Sequence, residues 1–139
     1  MSDCIFCKIM AGEIPSYQVY EDRLHLGFLD ISQVNDGHVL LVPKQHVRWV
    51  WEIEDQGAFF TAAKKIITAM QKITGNDQVS LFTVGEEVRH AHLHLVPAGA
   101  AGNLQLVYEA WQTALNKRKL ESSTMQGIAD VYRNEIGGV

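Results

Sequence analysis

The segment Gly85-Glu86-Glu87-Val88-Arg89-His90-Ala91-His92-Leu93-His94-Leu95-Val96-Pro97 decides how the rest of the chain is read. Side chains of an extended backbone alternate between two faces, so His90, His92 and His94 share one side. Ala91, Leu93 and Leu95 share the other, which predicts the core face of a strand over Val88–Val96, closed by Pro97. Half of the chain's six histidines therefore stand on one strand face. A half-exposed strand that merely carries polar rings is the plain alternative, but imidazoles this concentrated point to chemistry. On a flat strand they cannot all hold one ion. Alternate side chains start ~6.6 Å apart and the outer two ~13 Å apart, whereas zinc–nitrogen bonds are only ~2.0–2.1 Å. Two neighbours could share a metal, or the three could divide the labour; division is the expectation.

Working outward, Gln18–Glu21, Leu24–Asp30 and His38–Val42 read as short strands. Asp22-Arg23 and Asn35-Asp36-Gly37 supply the turns between them, and Pro43 ends the third where a missing N–H costs least. Ile5 to Met10 reads as a short helix or turn stopped by Gly12 and Pro15. Within residues 55–74, Phe59, Ala63, Ile66, Ile67, Met70 and Ile73 recur at spacings of three and four. That predicts an amphipathic helix, with Gly75 as its stop. Val79–Val84 reads as another strand. Past the triad, Gly99 and Gly102 break the chain before a helical pattern over Leu104–Leu115. Ser123 with Gln126 makes a capping-box start for a last helix bearing Met125, Ala129 and Tyr132. Strands joined by short turns pair antiparallel. The expected fold class is α+β: an antiparallel sheet of about five strands, one long helix packed on it and short flanking helices. The main domain is expected over 1–116, with 117–139 a helical extension of it.

Composition narrows the function. The chain has 139 residues, 47% hydrophobic and 20% charged, with a formal net charge of −4. Its twelve Lys and Arg are scattered, which argues against a nucleic-acid tract or a membrane-surface helix. Lys64-Lys65 and Lys117-Arg118-Lys119 read as solvated helix faces. Nothing approaches the ~20 apolar residues of a membrane span, and the first ten residues do not read as a signal peptide, so a cytoplasmic location is expected. The only two cysteines form the pair Cys4-x-x-Cys7, which suggests metal or redox chemistry, with two inert core residues as the alternative. His25 and His38 lie on strand-like runs away from the triad and are expected to be structural. Trp49 and Trp51 could cover a sheet edge or form a subunit contact.

The run His90-Ala91-His92-Leu93-His94-Leu95-Val96 resembles the signature of the histidine-triad (HIT) family. Further stretches are similar to that family in order and spacing: Cys4-Ile5-Phe6-Cys7-Lys8-Ile9, Gly12-Glu13-Ile14-Pro15, Val19-Tyr20-Glu21-Asp22, Phe28-Leu29-Asp30-Ile31, and Gly37-His38 through Lys44-Gln45-His46. The resemblance covers roughly residues 3–97. It implies a nucleotidyl transferase or hydrolase acting on the α-phosphate of a purine nucleotide or nucleotide conjugate, such as a nucleoside phosphoramidate or dinucleoside polyphosphate. His92 would be the nucleophile that carries the nucleotidyl intermediate, one ring nitrogen held protonated by a backbone carbonyl of its own strand. His94 would contact the phosphate or help protonate the leaving group. The resemblance places the nucleotide among Phe6, Phe28, Asp30, Ile31, Glu87, Val88, His92 and His94, with Asp30 on the ribose hydroxyls. For Phe28 and Ile31 the alternative is core packing, and for Asp30 a strand-end turn. It also implies a structural zinc on Cys4, Cys7, His46 and His90, and a homodimer formed through the long helix and a sheet edge.

Some positions depart from the family pattern. Gly85-Glu86 stands where many members have Gly-Gln, and Glu87 replaces a polar residue that meets the phosphate. An upstream asparagine is missing, with Ser80-Leu81-Phe82-Thr83 in its place, and Ala98 follows Pro97 where an arginine is usual. These changes fall on the leaving-group side. A zinc-stabilised nucleotide sensor with little turnover, or a metallohydrolase whose histidines hold a catalytic zinc, are the competing expectations.

Overall fold

In the computed structural model, residues 3–98, 109 and 120–137 are described. Helix α1 (Ile5–Met10) is followed by β1 (Gln18–Glu21), β2 (His25–Leu29) and β3 (Val39–Pro43). Then come a 3₁₀ turn over Val50–Glu52, helix α2 (Gln56–Thr74), β4 (Val79–Phe82) and β5 (Leu93–Pro97). The strands form one sheet in the order β1-β2-β3-β5-β4, antiparallel at every junction. This is the α+β fold expected, with one long helix. A separate compact unit runs from Leu106 to Val139, in which α3 (Ser122–Ile136) has no buried residue.

The sheet sorts its side chains by the period-two rule. Val39, Leu41, Ala91, Leu93 and Leu95 pack with Phe59, Ala62, Ala63, Ile66 and Met70 of α2. The opposite side carries Leu26, Phe28, Leu40 and Val42, packed against Phe6 and Ile9 of α1. The first layer fixes β5, and the second is the floor on which the triad stands. Helix α2 begins at Asp55, whose Oδ1 accepts from Ala58 N at 2.8 Å. It ends at Gly75 in the left-handed region (φ 68°), a conformation a Cβ would resist.

Three expectations need correction. Ile73 is 83% exposed, because the buried stripe of α2 runs through Ala62 and Ala63 and ends at Met70. The last helix is not opened by a Ser123–Gln126 box: its N-cap is Glu121, with no side-chain cap bond, and the Gln126 amide donates to Asp130 instead. The triad strand begins at Leu93 rather than Val88, because the preceding backbone is engaged elsewhere. Ala91 N donates to Val47 O at 2.7 Å, and the His90 carbonyl accepts from a side chain. The pattern over Leu104–Leu115 lies outside the described residues.

Candidate active site

Helix α1 serves two sites at once. Cys4 is its N-cap and Cys7 lies one turn on, so both thiols face the end of β3 and the approach to β5. Cys7 Sγ lies 3.2 Å from His46 Nδ1 and 3.6 Å from His90 Nδ1, and Cys4 Sγ lies 3.4 Å from His90 Nδ1. Tetrahedral zinc with bonds of ~2.3 Å to sulfur and ~2.05 Å to nitrogen places such atoms about 3.5 Å apart, so the cluster fits that ion. A second observation supports the fit. His90 Nε2 donates to the Pro43 carbonyl at 2.8 Å, and a carbonyl can only accept, so the His90 proton sits on Nε2. The lone pair on Nδ1 then faces the two thiols. Together Cys4, Cys7, His46 and His90 form a group able to hold a metal.

Phe6, between the two cysteines, points the other way. Its ring meets Phe28 at 5.5 Å and His92 at 5.3 Å, both edge-on. It forms one wall of a cleft of about 640 Å³, a volume typical of small-molecule sites. Phe28, Asp30, Ile31, Glu87, Val88, His92 and His94 also line this cleft, so all eight residues expected around a nucleotide are brought together. Phe28 belongs to the core as well as to the wall, whereas Ile31 is 90% exposed at the rim. Asp30 makes a turn, with Oδ1 accepting from Ser32 N at 2.8 Å, and keeps Oδ2 toward the histidines.

The protonation of His92 follows from its partner. Nδ1 donates to the His90 carbonyl at 2.7 Å, which fixes the proton there and leaves the lone pair on Nε2. Thr83, in the stretch that replaces the missing asparagine, donates its hydroxyl to the His92 carbonyl at 2.7 Å.

His38 overturns one expectation. It does not lie away from the triad: its Nε2 is 2.9 Å from His94 Nδ1. The cause is the pairing of β3 with β5, which the sequence does not show, combined with alternation along β3. Leu40 pairs with His94, and His38 is two residues before Leu40, so it shares the triad's face. Val34 N donates to His38 Nδ1 at 3.3 Å, so the His38 proton sits on Nε2 and is donated to His94. His94 in turn carries its proton on Nε2. Gln33 locks the start of this relay, accepting from the backbone N–H of Gly37 and His38 and donating to the His38 carbonyl. His25 is structural: its Nδ1 meets Asp22 at 3.0 Å, and its ring edge packs on Phe59 beneath α2.

Burial, with the neighbouring His92 and His38 rings, pushes the His94 pKa down to about 4, against a smaller upward pull from Asp30. The unfolded chain takes a proton on this ring near pH 6.5, the folded chain only near 4, so protons favour the unfolded state between those values. We expect the His94 contribution to stability to be complete above about pH 6.5 and to be lost as pH falls toward 4. Ring chemical shifts recorded against pH check this; a His94 midpoint at 6 or above would contradict it.

One rim of the cleft is acidic. Glu86 and Glu87 line the cleft, both exposed, with no hydrogen bond or ion pair to any described residue. No Lys or Arg among the described residues lines it. Gly85 sets the entry to this rim at φ 75°, and a Cβ there would lie 2.6 Å from the Trp49 ring. Trp49 therefore packs on the rim, stacked at 5.0 Å on an exposed Trp51.

Comparison with known proteins agrees with this geometry. A HIT domain model matches residues 11–100. "Protein hit" of Bacillus subtilis (strain 168) is 43% identical over 110 residues, 73% of this chain and 74% of that protein. An adenosine 5'-monophosphoramidase of Saccharomyces cerevisiae is 36% identical over 99 residues, 68% of this chain and 61% of that protein. The crystal structure of SMU.412c from Streptococcus mutans UA159 superposes with a TM-score of 0.76 at 38% identity, covering 99% of this chain and 87% of that one.

Proposed function

The chain belongs to the HIT domain family, and we propose that within it this protein is a nucleoside phosphoramidase, working through a nucleotidyl intermediate on His92. One observation carries the reading: the His92 ring lines the cleft with Nδ1 tied to the His90 carbonyl and Nε2 free to attack. In this reading Nε2 forms a bond to the α-phosphorus while the bond to the leaving nitrogen breaks, the nitrogen taking a proton from solvent and departing as the neutral amine. Water then cleaves the phosphorus–nitrogen bond to His92 and releases the nucleoside monophosphate. His94 is neutral at pH 7, so it assists as a hydrogen-bond donor from Nε2 to the phosphoryl group and has no second proton to give. Phe6 and Phe28 would hold the base and Asp30 the ribose hydroxyls. Zinc on Cys4, Cys7, His46 and His90 would supply a structural crosslink between α1, the chain after β3 and the triad segment, with no open position for substrate. The test is to incubate the protein with adenosine 5'-phosphoramidate, follow release of the monophosphate and look by mass for adenylate on His92. A sensor without turnover predicts neither.

The acidic rim selects among conjugates. A departing polyphosphate would carry several negative charges past Glu86 and Glu87, whereas an amine carries none. A unit charge about 7 Å away in a water-like dielectric is worth about 0.6 kcal/mol, near threefold in rate per charge pair. Glu86→Gln with Glu87→Gln is therefore expected to raise kcat/KM for a dinucleoside polyphosphate by roughly tenfold relative to the phosphoramidate. An unchanged ratio of the two rates would remove the rim from substrate choice.

A further inference from the structure

His38 Nε2, His94 Nδ1 and Asp30 Oδ2 converge within 3.9 Å of one another. The two nitrogens are 2.9 Å apart, and the carboxylate oxygen lies 3.7 Å from the first and 3.9 Å from the second. A triangle with those sides has its centre about 2.1 Å from every corner, which is the bond length of zinc and similar ions to imidazole nitrogen and carboxylate oxygen. The three atoms come from the end of β2, the residue before β3, and β5 itself, so the sheet holds them in place. His38 is 2% exposed, and His94 and Asp30 are half-buried.

We propose that Asp30, His38 and His94 form a second metal site, separate from the cysteine cluster, which takes a divalent first-row transition ion and thereby shuts the cleft. Two imidazoles and one carboxylate around an ion with open positions are a donor set suited to zinc, cobalt, nickel or iron. The protons balance without release. Each ring stays neutral with one hydrogen, and His38 moves its own from Nε2 to Nδ1. The cost of that move is the Val34 contact, at 3.3 Å the longest bond of the relay. His94 already offers Nδ1 as a lone pair. Water would complete the coordination of the ion, as in three-ligand zinc sites. It would also occupy the carboxylate oxygen that the nucleotide reading assigns to the ribose. Competition with nucleotide rests on that reading; the metal site does not.

The experiment loads the protein with one equivalent of zinc, titrates it with Co²⁺ and measures bound metal after dialysis. Wild type is expected to hold two metal equivalents, the second giving cobalt ligand-field bands without sulfur charge transfer. Asp30→Asn and His38→Gln are expected to keep the first equivalent, which also shows that they fold, and to lose the second. Excess AMP is expected to expel the cobalt from wild type. One equivalent in wild type, or a second that survives both substitutions, overturns the proposal. A second equivalent that both substitutions abolish but AMP cannot displace upholds the metal site and takes Asp30 out of the nucleotide reading.

Discussion

His92→Asn is expected to lower phosphoramidate turnover by about 10³-fold or more and to abolish the adenylated form of the protein altogether. Asparagine is the right probe because its amide can still donate to the His90 carbonyl, which receives the His92 Nδ1 proton at 2.7 Å, so the strand approach is left undisturbed. What it lacks is a nucleophilic lone pair at the Nε2 position. The replacement gives up edge contacts with Phe6 and His94 at a buried position, but the retained bond to the His90 carbonyl should keep it folded, melting somewhat below wild type. His94→Ala supplies the contrast. It removes a donor to the phosphoryl group and breaks the 2.9 Å link to His38, but leaves the attacking ring intact. It is expected to slow turnover about 10²-fold with the adenylate still detectable by mass. Combining the two should cost hardly more than His92→Asn alone, because groups that act on one step are not additive. The reading fails if His92→Asn turns over like wild type, or if the adenylate is found on another residue.

Much of this arrangement was legible in the sequence because it rests on period two and on short turns. Alternation in His90–Leu95 assigned the histidines to one face and Ala91, Leu93 and Leu95 to the other. The structure places those three apolar residues against α2. Gly75 marked the end of the long helix because a left-handed residue was needed there. The errors have physical causes. The triad was read as one strand from Val88, since an apolar–polar pattern cannot reveal that Ala91 N is already bonded to Val47 O. Ile73 fits the helical spacing but is 83% exposed, because the buried stripe of α2 ends at Met70. His38 was missed for a different reason: strand order is not written in the sequence. Its nearness to His94 depends on β5 inserting between β3 and β4, a crossover made by α2. Trp49 against Gly85 is likewise a contact between segments far apart in the chain.

Stripping metal from the cysteine cluster is expected to cost about 4 kcal/mol when zinc is present at about a thousand times its dissociation constant, because an ion bound only to the folded state stabilises it by mass action. For a domain of this size that is a fall in Tm of roughly 15–25 °C. The structural reason is the number of segments that meet there. Cys4 and Cys7 belong to α1, His46 follows β3, and His90 precedes β5. α1 also contributes Phe6 and Ile9 to the core cluster under the cleft, so loosening it exposes that layer too. Cys7→Ser should reproduce most of the loss and make Tm insensitive to chelator. His92→Asn should keep the full metal dependence, since its ring is tied to a carbonyl and stands outside the cluster. The order of events separates this reading from a catalytic zinc. Here chelation lowers Tm first, and protein still folded at low temperature continues to release nucleoside monophosphate. Rates that vanish on chelation while the melting curve stays put would move the zinc from structure into the chemistry. A Tm indifferent to metal, in wild type and Cys7→Ser alike, would leave the four ligands without the role assigned to them.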